Sequence, residues 1–214
     1  MAKALKAKGW RIEKCCPRAG EPLPEPADHA GVVIFDGPMS ANDEHLPFIR
    51  QELDWIPSVH ESGTPFFGIC LGAQMLARCL GATVAPHPEG LHETGYYRIA
   101  PTPRADGYLS DRLHVYHWHS EGLELPAGAR LLATSETFRL QAYRYGEAAY
   151  GVQFHPEIQL DILKWWLKEA ARKLGSPGAQ PPEDRLAGHA RHGAEMHRWL
   201  DDFLDAWLDP VDSD

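Results

Sequence analysis

The chain is expected to fold as an α/β protein, a flavodoxin-like three-layer sandwich with a mostly parallel central sheet. Three observations predict this. Gly31-Val-Val-Ile-Phe35 is continuously apolar, as a strand covered on both faces must be. Such runs alternate with helical patterns through the first 80 residues, the rhythm of parallel strands joined by crossover helices. The composition, 43% hydrophobic and 24% charged over 214 residues, suits one folded unit whose core needs no disulfide staples.

The amino terminus departs from that rhythm. A doubly wound domain opens with a strand, yet the first eight residues look like the tail of a helix. Arg11-Ile-Glu-Lys-Cys15 then reads as the second strand of the usual order. The opening strand is expected either to be lost or to lie upstream of Met1. In a 2-1-3-4-5 order its place is beside Gly31–Phe35, whose backbone would otherwise go unpaired.

That apolar strand ends at Asp36-Gly37-Pro38. A helix is expected from about His45 to Val59, with Pro47 in its first turn, where a missing N–H costs nothing. Thr64–Ile69 is the next strand, and Leu71–Leu80 a helix stopped by Gly81. Short strands follow at Gly95–Ala100, His114–Trp118, Ala129–Thr134, Gln141–Tyr145 and Ala148–Phe154, the last two forming a hairpin around Tyr145-Gly146-Glu147. A long helix runs from Gln159 to Leu174. Residues 1–175 are thus expected as the main domain and 176–188 as a Pro/Gly linker. Residues 189–214 then form an amphipathic C-terminal helix, with Met196, Trp199, Leu200, Phe203 and Trp207 on the face that docks.

Twenty-one basic against thirty acidic residues give a net charge of −9, which disfavours a nucleic-acid partner. There is no apolar run of 18 residues for a membrane span and no signal-peptide core. Cys15, Cys16, Cys70 and Cys79 make neither a disulfide framework nor a Cys-x-x-Cys pair, so a reduced, cytoplasmic protein is expected.

Gly68-Ile-Cys70-Leu-Gly72 falls where a strand turns into a helix. At such an elbow a nucleophile is pushed out at the sheet's carboxyl edge, and glycines two residues either side relieve the crowding. A helix N-terminus also favours thiolate. By itself this turn could equally hold an inert buried cysteine. Gly151-Val-Gln-Phe-His155-Pro-Glu157 closes a later strand, with His155 and Glu157 two apart and able to leave the same face. An imidazole that moves protons needs a carboxylate to fix its tautomer, and Glu157 offers one locally. Either motif alone could be structural; a cysteine elbow followed by a strand-terminal His-Pro-Glu is far more specific.

Gly68-Ile-Cys-Leu-Gly-Ala-Gln74 and Gly151–Glu157 resemble the two motifs of the class I, triad-type glutamine amidotransferases. Phe35-Asp-Gly-Pro-Met-Ser40 is similar to that family's Gly-Gly-Pro-x-Ser loop, and the likeness runs through Glu93-Thr-Gly-Tyr-Tyr97 and Trp118-His-Ser120, over about residues 30 to 160. It is greatest to free-standing proteins related to the glutaminase domain of GMP synthase. The resemblance implies a type-1 amidotransferase domain in which Cys70 attacks the side-chain amide of glutamine and His155, oriented by Glu157, shuttles protons. It implies backbone oxyanion donors at Gly37 and Leu71, and substrate contacts from Gln74, Ser120 and the backbone around His119. Asp36 stands where many relatives carry glycine, and its carboxylate is expected to point away from the site or to tune specificity.

Other readings are blander. His117 and His119 alternate on a strand but find no third metal ligand in the sequence, so no metal is expected. No cofactor is expected either, since neither a phosphate-binding Gly-x-x-x-x-Gly-Lys-Ser/Thr loop nor Gly-x-Gly-x-x-Gly occurs. The leading expectation is therefore a glutaminase that supplies ammonia to a separate synthase subunit. Its alternatives are a stand-alone hydrolase of γ-glutamyl compounds and a catalytically silent glutamine-binding module.

Overall fold

The first 31 residues carry no strand in the computed structural model, which describes residues 1–105, 107–169 and 175–208. A short helix, α1 (Ala2–Ala7), is followed by single 3-10 turns at Pro17–Ala19 and Pro26–Asp28. Arg11–Cys15, expected as a strand, is irregular. Its alternating pattern finds no neighbouring ladder, and Pro17 and Gly20 (φ 83°) turn the chain at once.

The remaining elements are β1 (Val32–Ile34), α2 (Pro47–Glu61), β2 (Phe66–Ile69), α3 (Leu71–Cys79), β3 (Val84–Pro86), β4 (Glu93–Pro101), β5 (Leu113–His119), β6 (Glu121–Leu123), β7 (Arg130–Thr134), β8 (Ala142–Tyr145), β9 (Ala149–Val152), α4 (Leu160–Glu169) and α5 (Pro182–Leu208). Seven strands form one sheet in the order β1-β2-β9-β8-β7-β4-β5. Pairing is parallel from β1 through β2 to β9 and antiparallel beyond. The curled α/β sheet is thus mixed. β3 and β6 form a separate antiparallel pair that three-residue segments give no periodicity to reveal.

Alternation sends Phe66 and Phe67 to opposite faces, and each face has its own core. Ile49, Leu53 and Ile56 of α2 and Met75 and Leu76 of α3 cover one side with Val32, Ile34 and Tyr143. Leu163 of α4 and Met196, Leu200, Phe203 and Trp207 of α5 cover the other with Phe67, Ile69, Val115 and Val152. Trp166 packs into this second core while its neighbour Trp165 is 57% exposed. Two adjacent residues cannot share one helical face.

α5 begins at Pro182, inside the segment expected as linker. Proline is accommodated at the first helical position, and Glu183 and Asp184 favour the positive end of the helix dipole. The expected helix through Leu174 is described only to Glu169; the rest of it, and residues 209–214, lie outside the described residues.

Parallel register decides what meets at the carboxyl edge. Ile34 pairs with Gly68 and Gly68 with Gly151, so the chain leaving β1, β2 and β9 emerges at one level. Asp36, Cys70 and His155 are each within three residues of those strand ends.

Candidate active site

Cys70 joins β2 to α3 at φ 49° and ψ −101°, the only non-glycine residue with positive φ among the described residues. The conformation is held by close backbone approach. A Cβ on Gly68 would sit 2.5 Å from the carbonyl carbon of Gly72, and one on Gly72 would sit 2.3 Å from the Ile34 carbonyl oxygen. Only glycine fits at either place. The Cys70 N–H donates to the Val152 carbonyl at 2.8 Å, tying the elbow to β9.

His155 arrives from the other side of that tie. Its N–H donates to the Tyr116 carbonyl (2.7 Å), its ring is fully buried, and the Trp166 ring stands edge-on at 5.1 Å. Nδ1 lies 3.0 Å from Oε1 of Glu157, which fixes the tautomer and leaves Nε2 facing the elbow. The Cys70 Sγ, a His155 ring nitrogen and an Asp36 carboxylate oxygen all lie within 4.8 Å of one another, and Nε2 stands 3.8 Å from Asp36 Oδ2. Sulfur, imidazole and orienting carboxylate are therefore brought together from the two motifs.

Asp36 corrects the expectation that its side chain turns away. Oδ1 accepts the Leu71 N–H at 3.3 Å, and Oδ2 lies 3.8 Å from His155 Nε2. The cause is local: the first N–H groups of α3 lack helical partners, and a carboxylate is the acceptor within reach. Gly37 follows directly, with its Cβ direction 3.4 Å from the Leu71 side chain, so the 36–37 loop lies over the start of α3.

These charges set the protonation states. Burial pushes the Cys70 thiol well above its ordinary range, and the Asp36 and Glu157 carboxylates push it further. Burial works against a charged His155, but Glu157 and then Asp36 outweigh it and raise the imidazole above its usual value. The thiol is thus neutral at rest, and the two carboxylates favour the imidazolium that forms once His155 takes up a proton.

Gln153 was not singled out by the sequence reading, although period-two alternation places it on the side of His155. Its Nε2 reaches the Cys70 Sγ at 3.5 Å, and its Oε1 accepts Gln74 Nε2 at 3.2 Å. Gln74 is buried and also donates to the Glu121 carbonyl (3.1 Å). The side chain expected to hold substrate thus braces the His119–Glu121 turn against α3. Ser120 sits in that turn, where its carbonyl accepts the His87 N–H at 3.3 Å.

Beneath the turn, the third partner missing from the His117–His119 pair comes from β4. Register sets Glu93 opposite His119, and Glu93 Oε2 lies 3.2 Å from His119 Nε2 and 3.5 Å from His117 Nδ1. This set could hold a metal ion, but Ser135 and Gln141 already donate to the Glu93 oxygens at 3.1 and 3.0 Å. Burial would raise the Glu93 carboxyl; the two imidazoles and Gln141 reverse this and hold it at about 2. His119 Nδ1 donates to the Glu121 carbonyl (2.9 Å), so the cluster anchors the His119–Glu121 turn.

No helix among the described residues is long and apolar enough to cross a membrane. Comparison with known proteins bears on the whole chain. The sequence profile described as glutamine amidotransferase class-I matches residues 15–164. The glutamine amidotransferase-like protein YfeJ of Salmonella typhimurium is 30% identical over 202 residues, 90% of this chain and 81% of that protein. A glutamine-hydrolyzing GMP synthase of Cytophaga hutchinsonii is 32% identical over 133 residues, 60% of this chain but 25% of its own length. Among solved structures, a glutamine amidotransferase from Thermotoga maritima superposes with a TM-score of 0.89 at 30% identity, covering 98% of this chain and 92% of that one.

Proposed function

The chain belongs to the class I glutamine amidotransferase family, and from that premise we propose that it hydrolyses the side-chain amide of glutamine through Cys70, His155 and Glu157. The observation that carries the reading is the convergence of Sγ, Nε2 and a carboxylate-held imidazole on the elbow. The Cys70 sulfur attacks the amide carbon while its proton passes to His155. The negative charge that develops on the amide oxygen is received by the Leu71 N–H, with the Gly37 N–H as the second donor. His155 then protonates the departing nitrogen, ammonia leaves, and a water deprotonated by His155 releases glutamate from the thioester.

For that oxygen to reach the Leu71 N–H, the Asp36 carboxylate must move aside, since it holds that donor at rest. Substrate binding and release of Asp36 are therefore one event. The bracing of the His119–Glu121 turn by Gln74 and Glu93 supports a rigid wall for the amino-acid end of glutamine.

The reading extends to delivery of ammonia to a separate acceptor protein. The chain spans about a quarter of the Cytophaga GMP synthase, so the greater part of that protein has no counterpart in the matched region. Glutamate and ammonia release from glutamine and from γ-glutamyl amines, measured with the wild-type chain and with Cys70→Ala, tests the hydrolytic part. Release from glutamine that Cys70→Ala abolishes is expected; turnover of neither substrate overturns the reading. Trapping the glutamyl thioester and recovering bound proteins from an extract tests delivery, and a synthase among them is the expected result.

A further inference from the structure

We propose that Asp36, Cys70 and His155 together form a site for a borderline divalent transition metal, Zn²⁺ above all, and that its occupancy switches the hydrolase off. The loss of activity rests on the glutaminase reading; the binding does not.

Four features of the triangle point to a metal. First, its ligand atoms are one carboxylate oxygen, one sulfur and one imidazole nitrogen, mutually within 4.8 Å and delivered by three separate strand ends. Tetrahedral zinc with bonds of about 2.0–2.3 Å sets its ligand atoms roughly 3.3–3.7 Å apart. Oδ2 and Nε2, at 3.8 Å, already stand near that spacing. Second, His155 Nε2 is buried and has no hydrogen-bond partner among the described residues, though it is aimed at the other two ligands. A buried nitrogen without a partner is costly unless something fills the space it faces.

Third, the groups that would orient the ligands of such a site are present. A metal-binding imidazole ordinarily gives its other nitrogen to a carboxylate, and Nδ1 has Glu157 at 3.0 Å. The Asp36 carboxylate divides its oxygens in the same manner: Oδ1 is anchored by the Leu71 N–H and Oδ2 is left toward the triangle. Fourth, the donor set selects the ion. Magnesium and calcium want oxygen throughout and copper(I) wants sulfur, whereas a mixed N, O and S set with three protein ligands and an open fourth position suits zinc.

Binding would expel the proton of the Cys70 thiol and engage the bare Nε2 of His155, and the cation would offset the crowding of Asp36, Glu157 and the new thiolate. Sulfur and base would then both be committed to the metal, leaving no nucleophile and no proton acceptor. Asp36 is the distinguishing member, because the elbow and the His-Pro-Glu strand alone supply only two ligands.

The experiment uses the full chain, freed of metal, titrated with Co²⁺ and then with Zn²⁺ against a chromophoric chelator. One equivalent of Co²⁺ should give tetrahedral d–d absorption with a sulfur-to-cobalt charge-transfer band, and Zn²⁺ should displace it. The charge-transfer band should vanish in Cys70→Ser. Affinity should fall at least about tenfold in both Asp36→Asn and Asp36→Gly, and roughly ten- to a hundredfold in Glu157→Gln. Thermal melts of each metal-free variant distinguish lost ligands from lost fold. A wild-type chain that hydrolyses glutamine but shows no cobalt spectrum overturns this proposal and leaves the glutaminase reading standing. The full spectrum in a chain that never turns glutamine over does the reverse. Binding that survives both Asp36 variants assigns the metal elsewhere, the Glu93–His117–His119 cluster included, and also overturns it.

Discussion

On the proposed mechanism, Asp36 is the residue on which the activity of the site turns. Its carboxylate accepts the Leu71 N–H that the mechanism assigns to the substrate oxygen. A hydrogen bond to a charged acceptor is worth about 1.5–3 kcal/mol, and partial exposure puts this one near the lower end. Asp36→Gly should therefore raise kcat/KM for glutamine about tenfold; a fall in steady-state kcat/KM would mean that the carboxylate assists turnover. Cys70→Ala should lower turnover at least a hundredfold, roughly, and Glu157→Gln by less, because it orients the base and does not attack. Coupled ammonia assays read both, and an equal loss would assign Glu157 a larger part. The grouping of Cys70, His155 and Glu157 was legible because each motif packs its polar groups into a few consecutive residues. The direction of Asp36 was not, because it depends on an N–H from a helix 35 positions away.

At the scale of elements, the elbow and the β4–β5 ladder each make a prediction. Gly68→Ala drives a methyl group into the Gly72 backbone at 2.5 Å. It should cost on the order of 2–4 kcal/mol and lose most of the turnover; urea denaturation that finds no loss would mean that the elbow can relax. Glu93 makes stability depend on acid. Its folded carboxyl lies at about 2 against an ordinary 4.5, so its contribution is complete above pH 4.5 and is lost as pH falls toward 2. Burial pushes His117 down to about 3 from 6.5, so it is neutral when folded and destabilises increasingly below pH 6.5. Urea midpoints taken from pH 7 to 3 should fall throughout, and Glu93→Gln should flatten the portion below pH 4.5. An unchanged slope in that variant would remove Glu93 from the acid response.

Helices and buried strands were readable from periodicity and from their terminating glycines, as at Gly81. Arg11–Cys15 misled because a short alternating run is a strand only beside a partner, and no short-range signal reports one. β3 and β6 escaped for the converse reason: three residues pair well in space without leaving a pattern in the chain.

Across the whole molecule, stability is shared between two cores on opposite faces of the sheet, and α5 closes the larger of them. Phe203 stacks between Trp199 and Trp207 at interplanar angles of 10° and meets Phe67 of β2 at 4.7 Å. Phe203→Ala should therefore cost about 3–5 kcal/mol by denaturant titration. A loss below 1 kcal/mol, roughly, would mean that α5 is dispensable to the fold. The amphipathic stripe announced this helix, while its start at Pro182 was obscured by the neighbouring prolines and glycine.

Tyr143 of β8 donates its hydroxyl to the Ala73 carbonyl of α3 at 2.7 Å. Its own strand is the hairpin partner of β9, the strand that leads to His155, while α3 is the helix that Cys70 opens. The phenol thus works as a caliper, setting the span between proton carrier and sulfur from behind the sheet. Slackening that gauge would blunt the chemistry while every group that performs it remained in place.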